Sequence, residues 1–189
     1  TYTRFLDLQK AEAQTREAQI EASLERVRSK AMAMRHSDDL INCTRIVFDE
    51  LEKLNLSIER SGIGIFDPKA KDCNLWTTVV NKDGKKELVT GITSLTVHPM
   101  LISTFSAWEK QKPYSHILEG KELEDYYKLI TKSEFVLSED ALQKSSSLPK
   151  EYYHYEPFGA GGLYCFADSE PSNEDKQTKH TCMALSALG

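Results

Sequence analysis

The 189-residue chain contains no long apolar run and no recognisable N-terminal signal. Its apolar stretches are short, such as residues 182–185, whereas a helix that spans a bilayer needs about 20 predominantly apolar residues. The chain begins with neither Met nor an apolar signal segment, and it stops within the apolar stretch 183–189. We therefore expect a cytoplasmic fragment of a longer polypeptide that makes no membrane contact.

Clustered cysteines and an excess of basic charge are also missing. The four cysteines, Cys43, Cys73, Cys165 and Cys182, lie far apart, and the five histidines show no metal-ligand spacing. This pattern argues against a zinc site, a redox dithiol or a disulfide framework, and favours reduced, buried thiols. The 24 basic and 29 acidic residues give a net charge of −5. We therefore expect no metal site and no nucleic-acid partner.

No catalytic motif can be recognised. Residues 159–162 are rich in glycine, but they precede a strand-like segment, whereas a phosphate-binding loop leads into a helix. His36 is followed by acidic residues, yet no ATP-binding segment accompanies it. No serine, histidine and acid occur at a spacing typical of a catalytic group. The expectation is a chain without catalytic residues.

Residues 2–36 contain no glycine or proline and are rich in good helix formers. Apolar residues recur at alternating steps of four and three, which places them on one seam of a helix. The seam consists of Ile20, Leu24, Val27, Ala31 and Met34. We interpret it as the interface of a homodimeric coiled coil; packing of the same stripe on its own domain is the alternative. The predicted division is a signalling helix over 1–36 and a sensor domain over 37–189.

A second helical pattern begins at Ser37, a capping residue followed by two acids. Its apolar stripe is out of phase with the preceding seam by about one residue, or roughly 100°. The earlier apolar face would then pack against a partner helix, and the rotated face would pack against the globular body. Such a change of face suits a helix that transmits a signal.

From residue 58 onward the periodicity becomes that of strands and short amphipathic helices. The pattern predicts an antiparallel meander over 58–97, helices over 99–111 and 119–131, an extended segment at 113–118, a hairpin over 152–167 and a last helix from Ser172. The pattern assigns no helix or strand to the segment 133–148. The order predicts an α+β domain with one antiparallel sheet.

Aromatic residues are concentrated near the end of the predicted sheet. Six of them fall within fifteen residues: Tyr152, Tyr153, Tyr155, Phe158, Tyr164 and Phe166. Two interpretations are open. The rings could fill a sheet covered by helices on both sides, or they could line a pocket in which hydroxyls and a histidine present polar groups.

Two parts of the sequence resemble a known family. The stretch ERVRSKAMAM (25–34) followed by SDDL (37–40), and HYEPF (154–158) followed by GGL (161–163), are similar to GAF-like sensor regions of bacterial, especially Bacteroidetes-type, signalling proteins. The resemblance implies a central antiparallel sheet flanked by helices, and a parent protein such as a two-component histidine kinase. The cyclic-nucleotide signature and a bilin-attaching cysteine context are absent, so the resemblance specifies no cofactor.

We therefore expect a non-catalytic regulatory sensor that binds a small molecule or partner and transmits its state through the N-terminal helix. The alternative is a dimerisation or scaffold module with a filled core and no ligand. Bulky or polar residues on the strands and the covering helix are the pocket candidates: Phe66, Trp76, Thr78, Trp108, His116 and Tyr155. The sequence identifies neither the ligand nor the output domain.

Overall fold

The computed structural model describes residues 2–32, 37–53, 58–135 and 137–170. In chain order the elements are α1 (Tyr2–Met32), α2 (Ser37–Lys53), β1 (Arg60–Asp67), β2 (Asp72–Val80), β3 (Lys86–Ser94), α3 (Pro99–Glu109), β4 (Tyr114–Glu119), α4 (Gly120–Ile130), α5 (Glu139–Ser146), β5 (Lys150–Phe158) and β6 (Gly161–Ala167). The last helix predicted from Ser172 and the seam residue Met34 lie outside the described residues.

The strands form one six-stranded sheet in the order β3-β2-β1-β6-β5-β4. Every neighbouring pair is antiparallel. The predicted meander is β1 to β3, and the predicted hairpin is β5 and β6. The two groups join where β1 pairs with β6, so that Gly62 lies between Thr77 and Tyr164. The α+β class and the single antiparallel sheet are confirmed.

Alternation along the strands divides the core into two layers. Arg60, Gly64 and Phe66 of β1 point to the side covered by α3 and α4, which we call the α3/α4 face. Ile63 and Ile65 point to the opposite side, the α2 face, where they pack with Val47, Phe48 and Leu51.

Capping side chains mark the N-terminal ends of helices α3 and α5. His98 caps α3 by accepting a hydrogen bond from the Met100 backbone at 3.2 Å, and Pro99 follows in the first turn. Ser138 caps α5 in the same way. On α4 the residues spaced three and four apart form one buried face: Leu123, Tyr126, Tyr127 and Ile130.

The two N-terminal helices fold back on each other. Arg26 Nη2 lies 2.6 Å from Glu50 Oε2, although residues 24 positions apart would be about 36 Å apart on one straight helix. Ile20 packs against the apolar cluster between α2 and the sheet. This seam residue is therefore partly buried within its own chain. Leu24, Val27 and Ala31 also lie in α1, but their side chains are outside the described set.

The first half of α1 extends along the surface. Phe5, Leu6 and Leu8 are 56%, 47% and 58% exposed. Among the described helices, none combines the length and the apolar character needed to cross a bilayer. The contacts of α1 with the rest of the chain include those of Ile20 with the cluster under α2 and of Arg26 with Glu50, both in its second half.

Glu50 is the centre of the polar contact between α1 and α2. Its side chain is 4% exposed and accepts hydrogen bonds from Arg26 at 2.6 Å and from Lys53 at 2.7 Å. Burial opposes ionisation of the carboxyl, but the hydrogen bonds from Arg26, Lys53 and Ser23 outweigh it and lower the pKa of Glu50 to about 2.

Because the pKa of Glu50 is lower in the folded chain than its ordinary value of 4.5, the unfolded chain takes up the proton first as the pH falls. We expect Glu50→Gln to reduce the free energy of unfolding at pH 7 by about 1–2 kcal/mol, since Arg26 is half exposed and water screens the pair. The difference from wild type should shrink as the pH falls from 4.5 towards 2. Urea unfolding across this range measures it.

The matched control is Glu12→Gln, which removes an exposed carboxylate from α1. It should change the stability by less than about 0.5 kcal/mol at any of these pH values. A Glu50→Gln variant whose deficit is the same at pH 3 and pH 7 would contradict the assigned pKa.

Candidate functional site

A small cavity lies between the sheet and helices α3 and α4. Its volume is about 30 Å³, far below the roughly 300–1,000 Å³ of typical ligand pockets. Apolar side chains from several elements form most of its wall: Leu75, Leu95, Met100, Leu101, Ile130 and Phe135. The polar part of the wall consists of Arg60, Thr93, Thr104, Tyr126, Tyr153, Tyr155 and Tyr164. The accessible inner surface of the cavity is nevertheless almost entirely apolar.

The tyrosine hydroxyls of the wall are held by hydrogen bonds. Tyr155 donates to the Gly161 carbonyl at 2.9 Å. The Thr104 hydroxyl donates to the Met100 carbonyl at 2.8 Å, so Tyr153 is the donor in its 3.2 Å hydrogen bond with Thr104. Tyr164 is hydrogen-bonded to the Thr77 hydroxyl. Burial raises the pKa of Tyr153, Tyr155 and Tyr164 above the ordinary value. These hydroxyls therefore keep their protons at neutral pH.

Two tyrosine rings require glycine on a neighbouring strand. A Cβ atom at Gly62 would lie 2.6 Å from the Tyr164 ring, which faces it directly across β1 and β6. A Cβ atom at Gly162 would collide with the Tyr155 ring. The missing side chains let both rings lie close to the sheet, where they form the floor of the cavity.

Arg60 is the most unusual residue of the wall, because it is a buried cation at 2% exposure. Its guanidinium carbon lies 3.7 Å from the centre of the Phe166 ring and 5.4 and 5.3 Å from those of Tyr126 and Tyr127. Nη2 donates to the Tyr126 hydroxyl at 3.3 Å. Such stacking on aromatic faces stabilises a desolvated guanidinium.

Glu151 provides the opposite charge. Its side chain is fully buried, and its Oε2 lies 3.6 Å from Arg60 Nη2 and accepts a 2.5 Å hydrogen bond from the Tyr127 hydroxyl. Burial raises the pKa of Glu151, while the Arg60 guanidinium opposes that rise. In the described part of the chain, Arg60 Nη1 and Glu151 Oε1 are buried atoms without a hydrogen-bond partner. The pair is therefore a loose one with unused donor and acceptor capacity.

Three of the six predicted pocket residues lie close together, at or next to the cavity wall. Phe66 and Tyr155 line the cavity, and their rings are stacked with centres 6.0 Å apart. Trp108 contacts Phe66 edge-on at 5.3 Å and donates from Nε1 to the Gly159 carbonyl at 3.2 Å. Trp108 thus packs behind the cavity wall and is not part of it.

The other three lie elsewhere. Trp76 pairs with Ile63 and Thr78 with Ser61, which places both on the α2 face, across the sheet from the cavity. Neither Trp76 nor Thr78 lines this cavity. His116 lies on the edge strand β4, where its Nε2 is 2.9 Å from a Glu122 oxygen. Whether any of the six residues binds a ligand stays a prediction.

The sequence analysis missed Arg60 and Glu151. A signal for Glu151 was present, since alternation along β5 puts it on the same face as Tyr153 and Tyr155. Arg60 directly precedes an apolar strand pattern, and a charged residue at such a position is typical of the exposed end of a strand. Only the pairing of β1 with β6 places it inside the core.

Within the described residues, no group of three or more histidine, cysteine or acidic side chains is placed to hold a metal ion. The three described cysteines, Cys43, Cys73 and Cys165, are buried and reduced. Burial raises the pKa of Cys73, which lines the cavity, so its thiol is neutral.

No protein-family model and no curated protein matches this chain. Among solved structures, the chain is similar to the crystal structure of the GAF domain from Acinetobacter phosphoenolpyruvate-protein phosphotransferase. The match has a TM-score of 0.49 and 11% sequence identity, and it covers 89% of this chain and 91% of the other.

We expect Arg60→Met to lower the free energy of unfolding by about 3–5 kcal/mol, because it leaves Glu151 buried without its partner. The double variant Arg60→Met/Glu151→Gln should lose less than Arg60→Met alone, since no isolated charge remains. Glu151→Gln alone should lose about 1–3 kcal/mol, because Arg60 keeps its aromatic contacts and the amide oxygen still accepts from Tyr127. Chemical denaturation of the variants gives the coupling.

The exposed ion pair between Lys150 and Glu119, 2.8 Å apart, is the matched control. Glu119→Gln should cost less than about 1 kcal/mol. If the losses of the two single variants simply add in the double variant, Arg60 and Glu151 do not compensate each other.

Proposed function

We propose that this chain is a cytoplasmic, non-catalytic sensor module that binds a small molecule in the cavity between the sheet and helices α3 and α4. The observation that carries the proposal is the cavity itself, whose inner surface is formed by aromatic and apolar side chains. Small-molecule sites are lined predominantly by such side chains. The resemblance of 25–40 and 154–163 to GAF-like sensor regions supports a bacterial signalling protein, such as a two-component histidine kinase, as the parent.

The size of the cavity limits what can bind without rearrangement. A volume of about 30 Å³ admits only a very small occupant, since typical ligand pockets measure roughly 300–1,000 Å³. Any larger ligand must displace α3 or α4 from the sheet. A ligand shifts such an equilibrium only by its difference in affinity for the two arrangements. In our proposal, a larger ligand therefore favours an arrangement in which α3 or α4 lies farther from the sheet.

Transmission has to pass through the sheet, because the cavity and α2 lie on opposite faces. Strand β1 connects them directly: Arg60 and Phe66 face the cavity, while Ile63 and Ile65 pack with α2. In our proposal, a ligand that displaces β1 changes the packing of α2 against the sheet. The change reaches α1 through Ile20 and the contact between Arg26 and Glu50.

The same small volume favours one other candidate function. A dimerisation or scaffold module with a filled core would need no ligand, and a cavity of about 30 Å³ is within the range of ordinary packing defects. In that case the N-terminal helix would be the functional element and the domain would support it.

Filling the cavity distinguishes these two functions. In a thermal-shift screen of metabolites and nucleotides, we expect a binding compound at a hundredfold excess over its Kd to raise the Tm by about 5 °C or more. Leu101→Phe, which puts a larger side chain at the cavity wall, should abolish this shift. The control Ile102→Phe changes the neighbouring side chain, which is 51% exposed, and should keep the shift.

A filled-core module would give a different pattern. No compound would raise the Tm of the wild-type chain, and Leu101→Phe would be destabilised by overpacking, by about 1–3 kcal/mol. That pair of results would reject the sensor function.

The predicted homodimer has its own test. Sedimentation equilibrium should show a dimer for the wild-type chain and a monomer for Leu24→Asp, because a carboxylate in a coiled-coil seam is desolvated without a partner. Leu8→Asp places the same charge on α1 at an exposed position outside the seam and should stay dimeric. A wild-type monomer at high concentration would reject the dimer.

A further inference from the structure

We propose that the cavity between the sheet and helices α3 and α4 binds a small, uncharged, apolar molecule and excludes polar and charged compounds. The inference rests on the proposed function, since it specifies the ligand class of the same cavity. Two sources share this chemistry. A dissolved gas such as dioxygen fits the cavity as it stands, whereas an apolar organic ring needs α3 or α4 to move away from the sheet.

The inner surface of the cavity offers almost no polar area. The Thr104 hydroxyl donates to the Met100 carbonyl, and Tyr153 donates to Thr104. Tyr155 donates to the Gly161 carbonyl. These hydroxyl protons are used within the protein and are not offered to a ligand. A buried water molecule needs roughly two to four polar partners, and we therefore expect the cavity to be dry.

Arg60, the one charged side chain among the described residues of the wall, is also engaged by the protein. Its Nη1 is buried with almost no accessible surface, and its Nη2 donates to the Tyr126 hydroxyl. The guanidinium stacks on the Phe166 ring and lies near the Glu151 carboxylate. A charged ligand would lose its hydration in this cavity without gaining a partner, which is strongly unfavourable.

Soft, polarisable atoms form much of the wall. Cys73 and Met100 contribute sulfur, and Phe66, Phe135 and Tyr155 contribute aromatic rings. In a dry cavity the attraction left to a guest is dispersion, which is weak for each atom pair but adds up around an enclosed molecule. Dry cavities with apolar walls bind xenon or benzene when they are large enough. The wall therefore favours a guest that carries no polar group.

Restrained neighbours keep the cavity from closing. The main chain of Phe135 packs directly on Gly91, where an added Cβ atom would lie 2.5 Å from the Phe135 Cα atom. The Tyr155 ring is held by its hydrogen bond to Gly161 and by its stack on Phe66. A void in a core collapses only as far as its neighbours can move. Its volume of about 30 Å³ limits the guest to a few atoms unless a helix is displaced.

The test exposes the folded chain to xenon under pressure, dioxygen, benzene and formamide. It records ¹H–¹³C spectra of the methyl groups, in which diamagnetic probes shift the signals and paramagnetic dioxygen speeds proton relaxation. Met100, Leu101 and Ile130 line the cavity and are the reporters. Leu51 and Ile63 are buried on the α2 face and do not line it, so they measure uptake by the core in general.

We expect at least one apolar probe to affect the cavity methyl groups several times more than those of Leu51 and Ile63, with no effect of formamide. Ile130→Val removes one methyl group from the wall and should bind the active probe about twofold or more tightly, because a less crowded guest keeps more favourable contacts. This variant reports by a gain, so a loss of folding cannot produce the expected result. Leu101→Phe should abolish binding, and the control Ile102→Phe should keep it.

The pattern of active probes identifies the source of the ligand. Xenon or dioxygen without benzene indicates a dissolved gas, and benzene indicates an apolar organic ring; either result supports the inference. Equal effects on the cavity and on the α2 face overturn it, and so does binding that persists in folded Leu101→Phe. The absence of apolar binding in both wild type and Ile130→Val also overturns it, as does a response of the cavity methyl groups to formamide.

The failure of this inference can be told from the failure of the sensor function. If a polar compound raises the Tm in a Leu101-dependent manner while no apolar probe binds, the sensor function stands and the apolar ligand class is rejected. If no compound of either kind binds, both are rejected.

Discussion

Burial of one positive charge organises the interior of this domain. A guanidinium out of contact with water is stabilised when aromatic faces and an opposite charge replace its hydration. Phe166 from β6, Tyr126 and Tyr127 from α4, and Glu151 from β5 supply these contacts to Arg60 of β1. Elements far apart in the sequence are thereby brought to one point. The aromatic residues through which α4 packs on the sheet, Tyr126 and Tyr127, are thus also contacts of the guanidinium.

Local sequence patterns predicted most of the elements. Alternation and turn residues are local signals, and they located the meander, the hairpin and the helices that became α3 and α4. The position of β1 beside β6 is a non-local pairing, and no periodicity contains it. The helix α5 was not predicted for a different reason. Its eight residues, Glu139–Ser146, are too few to show a clear helical period.

The candidate site was predicted only in part, because residues were chosen by bulk and polarity and not by the face they occupy. Phe66 and Tyr155 share a face once β1 and β5 are placed in one sheet. Trp76 and Thr78 are even-numbered residues of a strand whose odd-numbered side chains, such as Leu75, face the cavity. Selecting the residues of β2 by the face of the sheet on which they lie would have excluded both. The position of Arg60 in the core could be recognised only once the order of all strands in the sheet was known.

The contacts of glycine with tyrosine have a consequence for sequence variation among relatives of this chain. Any side chain at Gly62 would occupy the space of the Tyr164 ring, and any side chain at Gly162 that of the Tyr155 ring. A Cβ atom at Gly62 would also lie 2.6 Å from the Trp76 carbonyl oxygen, so Gly62 stays fixed even if Tyr164 becomes small, whereas Gly162 can change when Tyr155 becomes small. In an aligned set of homologues the positions of Gly162 and Tyr155 should therefore covary. Covariation of this pair would identify members of the group even where overall identity has fallen too low to align them by other means.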